Sequence, residues 1–238
     1  MEALSKRFSA GKTIVVLLML SLSLWGISPA NATTINETAD PVPVTGQPAD
    51  AALAKTKSLI KSKKTTVQAS SKSLAFEEAA VYKISAANGS YTTVTIPIHG
   101  EYSLLSNFTV VFDNHGNVAQ YTEMHLSENS EGNFRATNFT DGALTSERDS
   151  EIKFVNDAVL EQGVSQSLDV AMPAAKSTKN CLIAVLGVSG ATATLLAWVC
   201  AGSCAAAAAG IGVPFCVACI AGYATIGGAS ITAVASCF

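Results

Sequence analysis

Hydrophobic and polar residues follow three different patterns along this chain. An apolar run covers residues 13–25, apolar and polar residues alternate from about Ala79 to Val155, and residues 181–238 are apolar almost throughout. Alternation with a period of two predicts half-buried β-strands, whereas a long Ala-rich run predicts a buried or membrane-associated helix. The chain therefore joins regions of different kinds.

The N-terminal pattern is typical of a secretory signal peptide. Basic residues up to Lys12 precede the apolar run, and Ala30 and Ala32 occupy the small-residue positions of a cleavage site. The run is too short for a membrane-spanning helix. We expect residues 1–32 to be removed after Ala32 and the protein to be secreted; an uncleaved N-terminal anchor is the alternative.

Residues 33–78 are rich in Thr, Ala, Pro, Ser and Lys, and this composition predicts an extended linker. A short helix over residues 51–62 is possible, because a thin apolar stripe recurs there. The lysines between Lys55 and Lys72 indicate either a solvated linker or a weak tether to an acidic polymer or lipid.

Residues 79–155 predict an antiparallel β-meander of about six strands with one buried and one polar face. The alternating stretches are separated by turn sequences such as Asn88-Gly89 and Asp141-Gly142. We expect strands over residues 81–84, 91–96, 108–112, 121–126, 134–139 and 152–155.

The meander contains no pattern that indicates catalysis. Its histidines, His99, His115 and His125, accompany no nucleophile motif and no metal-binding motif, and Glu123 is expected on an exposed face. We therefore expect no catalytic residues, no cofactor and no enzymatic activity. A net charge of −3 and a pI of about 5.6 also argue against nucleic-acid binding, which needs a basic surface.

Residues 156–180 predict a second linker, which contains a processing site between Ala171 and Cys181, because proteases cut exposed small-residue segments. Residues 181–238 contain all six cysteines and no charged residue or histidine. In a secreted chain an even cysteine count favours disulfides.

The cysteine spacing predicts a pairing. Residues that face each other in an antiparallel hairpin have a constant sum of residue numbers. When the first cysteine is paired with the last, the second with the fifth and the third with the fourth, the three sums are nearly equal. The Gly- and Pro-containing stretch around residues 210–214 supplies the hinge of a helical hairpin. The predicted fold is α+β, a β-meander pro-domain followed by a disulfide-linked helical hairpin, with the pairs Cys204–Cys216, Cys200–Cys219 and, less well aligned on its helix, Cys181–Cys237.

Two other interpretations of residues 181–238 remain open. The four cysteines from Cys200 to Cys219 have a spacing similar to a zinc ribbon, although polar outer groups are missing and we expect no metal. Residues 182–199 carry no charge and form a candidate transmembrane segment.

The whole layout resembles the precursors of halocin-like, cysteine-rich peptide bacteriocins. It shares with them a signal peptide, a polar pro-region and a small C-terminal domain rich in Cys, Ala and Gly. The resemblance implies a secreted antimicrobial peptide whose pro-region shields the producing cell. The chain departs from that pattern in having fewer cysteines and no charge at all in the C-terminal domain.

We thus expect a released peptide that acts on the lipid membrane of a target cell and that can self-associate. Candidate residues for the membrane interface are Trp198, Phe215, Tyr223 and Phe238. The alternative is an adhesion or structural protein that stays at the cell surface, anchored by its C-terminal hairpin.

Overall fold

The structure is a computed structural model that describes residues 41–86, 89–160, 178–187, 190–207, 214, 216–220, 234 and 237. The signal peptide predicted for residues 1–32, including Ala30 and Ala32, lies outside the described residues. In chain order the described elements are β1 (Val42–Pro43), α1 (Gln47–Lys61), a short 3₁₀ helix (Phe76–Glu78), β2 (Ala80–Ala86), β3 (Gly89–Pro97), β4 (Asn107–Phe112), β5 (Val118–Glu128), β6 (Asn133–Thr140), β7 (Ala143–Lys153), α2 (Thr178–Leu186) and α3 (Gly190–Ala207).

Strands β1 to β7 form one antiparallel sheet in which their spatial order is their order in the chain. The expectation of an α+β protein with an antiparallel sheet is confirmed at this level. The Asp-Gly signal between β6 and β7 works as predicted: Asp141 and Gly142 have φ angles of 51° and 80°, and Thr140 pairs with Ala143. Positive φ at both central residues is what a two-residue hairpin requires.

The last strand is longer than its sequence pattern indicated. We expected a strand over residues 152–155, but β7 runs from Ala143 to Lys153. β7 is an edge strand whose side chains are mostly exposed, so no alternation of apolar and polar residues marks it. Its charged residues suit an edge, because they discourage pairing with another chain.

The linker expected over residues 33–78 is wrong for its described part. Helix α1 packs on the sheet through Leu53, Leu59 and Ile60, which join the cluster formed by Val94 and Phe108. Thr56 is buried and its hydroxyl donates to the Ala52 carbonyl at 3.0 Å. The thin apolar stripe is sufficient because the sheet offers a complementary apolar face, which composition alone does not reveal.

Both faces of the sheet are covered, so the expectation of one polar, open face is also wrong. The face towards α1, here the α1 face, carries six buried side chains: Val81, Val94, Ile96, Phe108, Val110 and Phe112. The opposite face, here the cysteine face, carries Ile84, Met124, Leu126, Phe134 and Ala136. All six residues of β4 are buried, as a central strand with two covered faces requires.

Candidate functional site

The described residues from Thr178 to Cys237 are here called the cysteine-rich unit. Three disulfides link it: Cys181–Cys237, Cys200–Cys219 and Cys204–Cys216, with Cα–Cα distances of 5.4, 5.8 and 4.4 Å. These are the same pairs that the sums of residue numbers favoured. All lie in the range a disulfide needs, which is shorter than the usual distance between helix axes.

The disulfides bear directly on the zinc interpretation. A zinc ion is bound by cysteine thiolates, and the four cysteines from Cys200 to Cys219 are paired with one another through sulfur. Cys200, Cys204 and Cys216 are also buried, with 1, 3 and 4% of their surface exposed. The cysteines therefore crosslink the unit instead of presenting a ligand set.

The candidate transmembrane segment 182–199 is not one helix. Helix α2 ends at Leu186, Gly187 adopts a φ of 65°, and α3 begins at Gly190. A left-handed glycine after the last helical residue is a common helix stop. Among the described residues, no helix combines the length and the hydropathy that a membrane crossing needs. The hinge expected at residues 210–214 lies outside the described residues except for Pro214.

The apolar side chains of the cysteine-rich unit are buried together with the cysteine face of the sheet. Leu182, Leu195 and Ile220 are at most 1% exposed, and they belong to one cluster with Leu126 and Phe134 of the sheet. In the whole chain the sheet supplies the surface that covers them.

One of the four candidate interface aromatics is visible in this arrangement. Trp198 is half-buried, and the Arg148 guanidinium of β7 lies 4.7 Å from the centre of its ring. Arg148 also donates a hydrogen bond of 3.2 Å to the Trp198 carbonyl. Phe215, Tyr223 and Phe238 lie outside the described residues. Arg148 thus contacts both the ring and the backbone of the one aromatic in this group that can be placed.

The contact between sheet and unit also has a polar part. The register of β3 to β6 aligns Thr95, Thr109, Thr122 and Thr140 in one row on the cysteine face. The hydroxyls of Thr95 and Thr109 are 3.0 Å apart. A cavity of about 360 Å³ lies next to this row, with Asn107, Thr122 and Asn138 on the sheet side and Val199, Ser203 and Cys219 on the other.

A buried carboxylate on the other face was missed by sequence reasoning. We expected Glu123 on an exposed face, but it is 2% exposed. Its oxygens accept hydrogen bonds from the backbone N–H groups of Gln68 and Ala69, both at 2.7 Å, and one lies 2.7 Å from His125 Nε2. Glu123 and His125 share one side of β5, and this spacing of two was the available signal.

The surroundings of His125 are aromatic. Its ring stacks on Tyr102 with 4.2 Å between centroids and lies 5.5 Å from Phe139. Burial, followed by the charges of Glu101 and Glu123, raises the pKa of the Tyr102 phenol. Glu123 and His125 therefore hold the 62–75 loop against the sheet, and no nucleophile accompanies them among these contacts. The other two histidines lie at the surface, His99 at 3.0 Å from Glu78 and His115 in the turn after β4.

Comparison of the chain with protein-family models, curated proteins and solved structures gives no match. In the described part of the chain, no group of three or more His, Cys, Asp or Glu side chains is arranged to hold a metal ion. The interface between the cysteine face and the cysteine-rich unit is therefore the candidate site that remains for a functional argument.

Proposed function

We propose that the protein is a secreted, bacteriocin-like precursor without enzymatic activity. Its C-terminal disulfide-linked peptide, folded as a helical hairpin, is released and acts on the lipid membrane of a target cell. Until release, the β-sheet shields the apolar side chains of the peptide. The observation that carries this proposal is the single core that the sheet shares with an uncharged, disulfide-linked unit.

The shared core gives the shielding a physical basis. A free unit with Leu182, Leu186, Leu195 and Ile220 at its surface would expose an apolar patch large enough to bind other proteins or a membrane. In the precursor these side chains are at most 2% exposed. Burial of apolar side chains stabilises by about 25 cal/mol per Å², so the covered state is favoured, and cutting the connection removes the high local concentration that keeps the two parts together.

The row of threonines supports separation of the two parts. Thr95 and Thr109 already bond to each other, and Asn138 donates to Ser146 at 3.0 Å. Hydroxyl and amide groups bind water readily once they are exposed, whereas a fully apolar face would aggregate. These polar groups therefore lower the cost of exposing the cysteine face, which also carries Leu126 and Phe134.

The connection between the parts offers the site of cleavage. Of the linker expected over residues 156–180, residues 157–160 form a helical turn and Leu160 is buried, while residues 161–177 lie outside the described residues. Thr178 to Cys181 belong to α2. Because proteases cut helices poorly, the first turn of α2 is a poor site, and we place the cut between Ala171 and Thr178.

The membrane action follows from the chemistry of residues 180–238. They carry no charged side chain, and a fragment cut between Ala171 and Thr178 adds only Lys179 and, for cuts before residue 176, Lys176. Each basic residue adds about 1 kcal/mol of attraction to anionic lipid, so apolar burial supplies most of the membrane affinity. Helices satisfy their own backbone hydrogen bonds in a bilayer. Trp198, Phe215, Tyr223 and Phe238 then serve as anchors at the membrane interface, and self-association in the bilayer completes a pore.

The experiment uses the oxidised precursor with a specific protease site inserted between residues 161 and 177. Dye-filled liposomes are exposed to the protein before and after cutting, and unmodified precursor treated with the same protease is the control. We expect leakage only after cutting, from neutral as well as anionic liposomes, with a modest salt-dependent preference for anionic lipid that comes from the lysines before Asn180. Absence of leakage after cutting contradicts the proposed membrane action.

A mass spectrum of culture medium and washed membranes tests the release. A fragment that begins between residues 172 and 178 and retains three disulfides is expected in the medium. Full-length protein in washed membranes, without such a fragment, contradicts the release and favours the anchored adhesion or structural protein instead.

A further inference from the structure

A second cavity lies on the α1 face, far along the chain from every cysteine. It has a volume of about 330 Å³ and is formed where the end of α1 meets the loop of residues 62–75. Ile60, Val67 and Leu74 give it an apolar wall, and Lys63, Thr65 and Ser71 give it polar groups. A wall of this kind with a few convergent polar groups is typical of a binding site for a small ligand.

Thr65 provides the first sign that the cavity accepts a ligand. It is 3% exposed, and its hydroxyl has no hydrogen-bond partner within the described structure. A buried polar group without a partner costs about 1–3 kcal/mol. Valine has the same shape without this cost, so the hydroxyl needs an explanation, and a ligand that accepts a hydrogen bond provides one.

Lys63 provides a second, independent sign. It has a φ of 56° at the end of α1, where its N–H donates to the Ile60 carbonyl at 3.0 Å. This left-handed position favours glycine, because any other side chain is strained there. A left-handed residue is a common helix stop, and lysine in place of the usual glycine adds a side chain at this point. Here the side chain is a cation at the cavity.

Lys63 is the one charged side chain among the residues that line the cavity, and the sequence around it is basic. Residues 51–76 contain six lysines and no acidic residue. The last carbonyls of α1 carry partial negative charge, but those of Ser58, Leu59 and Ile60 each accept a hydrogen bond from the residues that follow. The acid bonded to this loop, Glu123, is buried and is engaged by two backbone N–H groups and His125.

We propose that this cavity is a binding site for a phosphate group, either the free anion or the headgroup of a lipid. Lys63 pairs with the charge of the phosphate, and Thr65 and Ser71 donate hydrogen bonds to its oxygens. Because the site lies on the face opposite the cysteine-rich unit, the proposal does not depend on release of the peptide. From the sequence, the lysines between Lys55 and Lys72 were considered as a weak tether on an extended linker. The present proposal instead assigns a defined binding site on a folded surface.

The test uses the intact, oxidised precursor and three variants. Lys63→Gly removes the cation and relieves the left-handed strain, while Thr65→Val removes the unpartnered hydroxyl without changing charge. Lys61→Ala is the matched control, since Lys61 is exposed on the last turn of α1 and does not line the cavity. Calorimetric titration with inorganic phosphate measures binding, and thermal unfolding without phosphate measures stability.

We expect Lys63→Gly and Thr65→Val to weaken phosphate binding by about tenfold or more while their midpoints of unfolding stay equal or rise. Lys61→Ala is expected to bind like the wild type. This combination separates a binding role from a structural one, because a structural residue lowers stability when it is replaced.

Vesicles distinguish the two sources of phosphate. Sedimentation with phosphatidylglycerol vesicles that depends on Lys63 and Thr65 assigns the site to a lipid headgroup, whereas binding of inorganic phosphate alone assigns it to the free anion. The proposal is overturned if the wild type binds neither, if both cavity variants bind as well as the wild type, or if Lys61→Ala loses as much binding as Lys63→Gly.

Discussion

The two faces of the sheet are covered in different ways. On the α1 face, Val94, Ile96, Phe108 and Val110 are all fully buried under α1 and the loop that follows it. On the cysteine face, apolar residues such as Leu126 and Phe134 share the surface with threonines and asparagines. The α1 face also holds the buried Glu123 and His125, but these bond to each other and to the 62–75 loop, whereas the threonines and asparagines of the cysteine face can bind water. This difference is what the proposed release of the cysteine-rich unit requires.

The two layers also differ in what holds them together. Helix α1 gains its stability from packing on the sheet and from the buried hydrogen bonds of Glu123 to the 62–75 loop. The cysteine-rich unit carries three disulfides of its own, one of which spans 56 residues. Crosslinks restrict the unfolded chain and so keep a small unit compact without a partner. A layer that must survive alone needs them, and α1 does not.

The largest expected effect comes from a matched pair of core substitutions. Phe134 and Phe108 are both fully buried, on the cysteine face and the α1 face respectively. Phe134→Ala and Phe108→Ala should each lower the free energy of unfolding by about 3–5 kcal/mol, measured by urea denaturation. Hydrogen exchange should then quicken mainly in α3 for Phe134→Ala and mainly in α1 for Phe108→Ala. Identical exchange patterns would show that the two layers are not separable.

Reduction of the disulfides should destabilise the cysteine-rich unit and leave α1 and its packing on the sheet largely unchanged. All cysteines lie in the cysteine-rich unit, and closing a loop of about 15 residues is worth about 3 kcal/mol. We expect reductant to accelerate hydrogen exchange in α2 and α3 much more than in β3 to β5. A Cys204→Ser, Cys216→Ser double variant should show a smaller change of the same kind, because Cys200–Cys219 still closes a loop around it. Equal loss of protection in the sheet would contradict the comparison.

Replacement of the buried Glu123 tests how α1 and the 62–75 loop are held on the sheet. Glu123→Gln loses the charge that receives the N–H groups of Gln68 and Ala69, and it should cost about 2 kcal/mol of unfolding free energy. Glu128→Gln, at an exposed position of the same strand, is the control and should have little effect. Faster exchange should be confined to the 62–75 loop and α1. A variant as stable as the wild type would remove the proposed role of Glu123 in holding the loop.

The smallest effect concerns the edge strand β7 and acid. Hydrogen bonds from Arg135, then from Asn129, lower the pKa of Asp149 from 3.8 to about 2. A carboxyl group whose pKa is lowered on folding stabilises the protein above its unfolded pKa and loses this contribution as the pH falls. The Arg135–Asp149 pair should therefore stabilise fully above pH of about 4 and lose its effect towards about 2. Urea midpoints of Asp149→Asn should be lower than wild type at pH of about 6 and should converge with it in acid; parallel curves would contradict the assignment.

Much of the sheet could be predicted because its signals are local. Alternation marked β2 to β6, and Asp141-Gly142 marked a turn that needs two positive φ angles. The edge strand β7 was mostly missed because an exposed strand needs no alternation. A short helix over residues 51–62 was considered within the expected linker, and α1 covers Gln47–Lys61. Its packing was missed, since its stripe of Leu53, Leu59 and Ile60 becomes a core only when a sheet lies against it. The burial of Glu123 was missed for a similar reason, because Gln68 and Ala69, whose N–H groups donate to it, lie more than 50 residues away along the chain.

The sequence by itself determined the antiparallel meander and the disulfide pairs, because alternation, turn residues and spacing are properties of neighbouring positions. Only the tertiary structure decided that the uncharged helices lie on the sheet, that Trp198 meets Arg148, and that Lys63 and Thr65 share a cavity. Hydrophobic burial has no direction of its own, so an apolar sequence states that a surface must be covered but not what covers it. Side-chain shape and strand register, acting over long distances in the chain, make that choice.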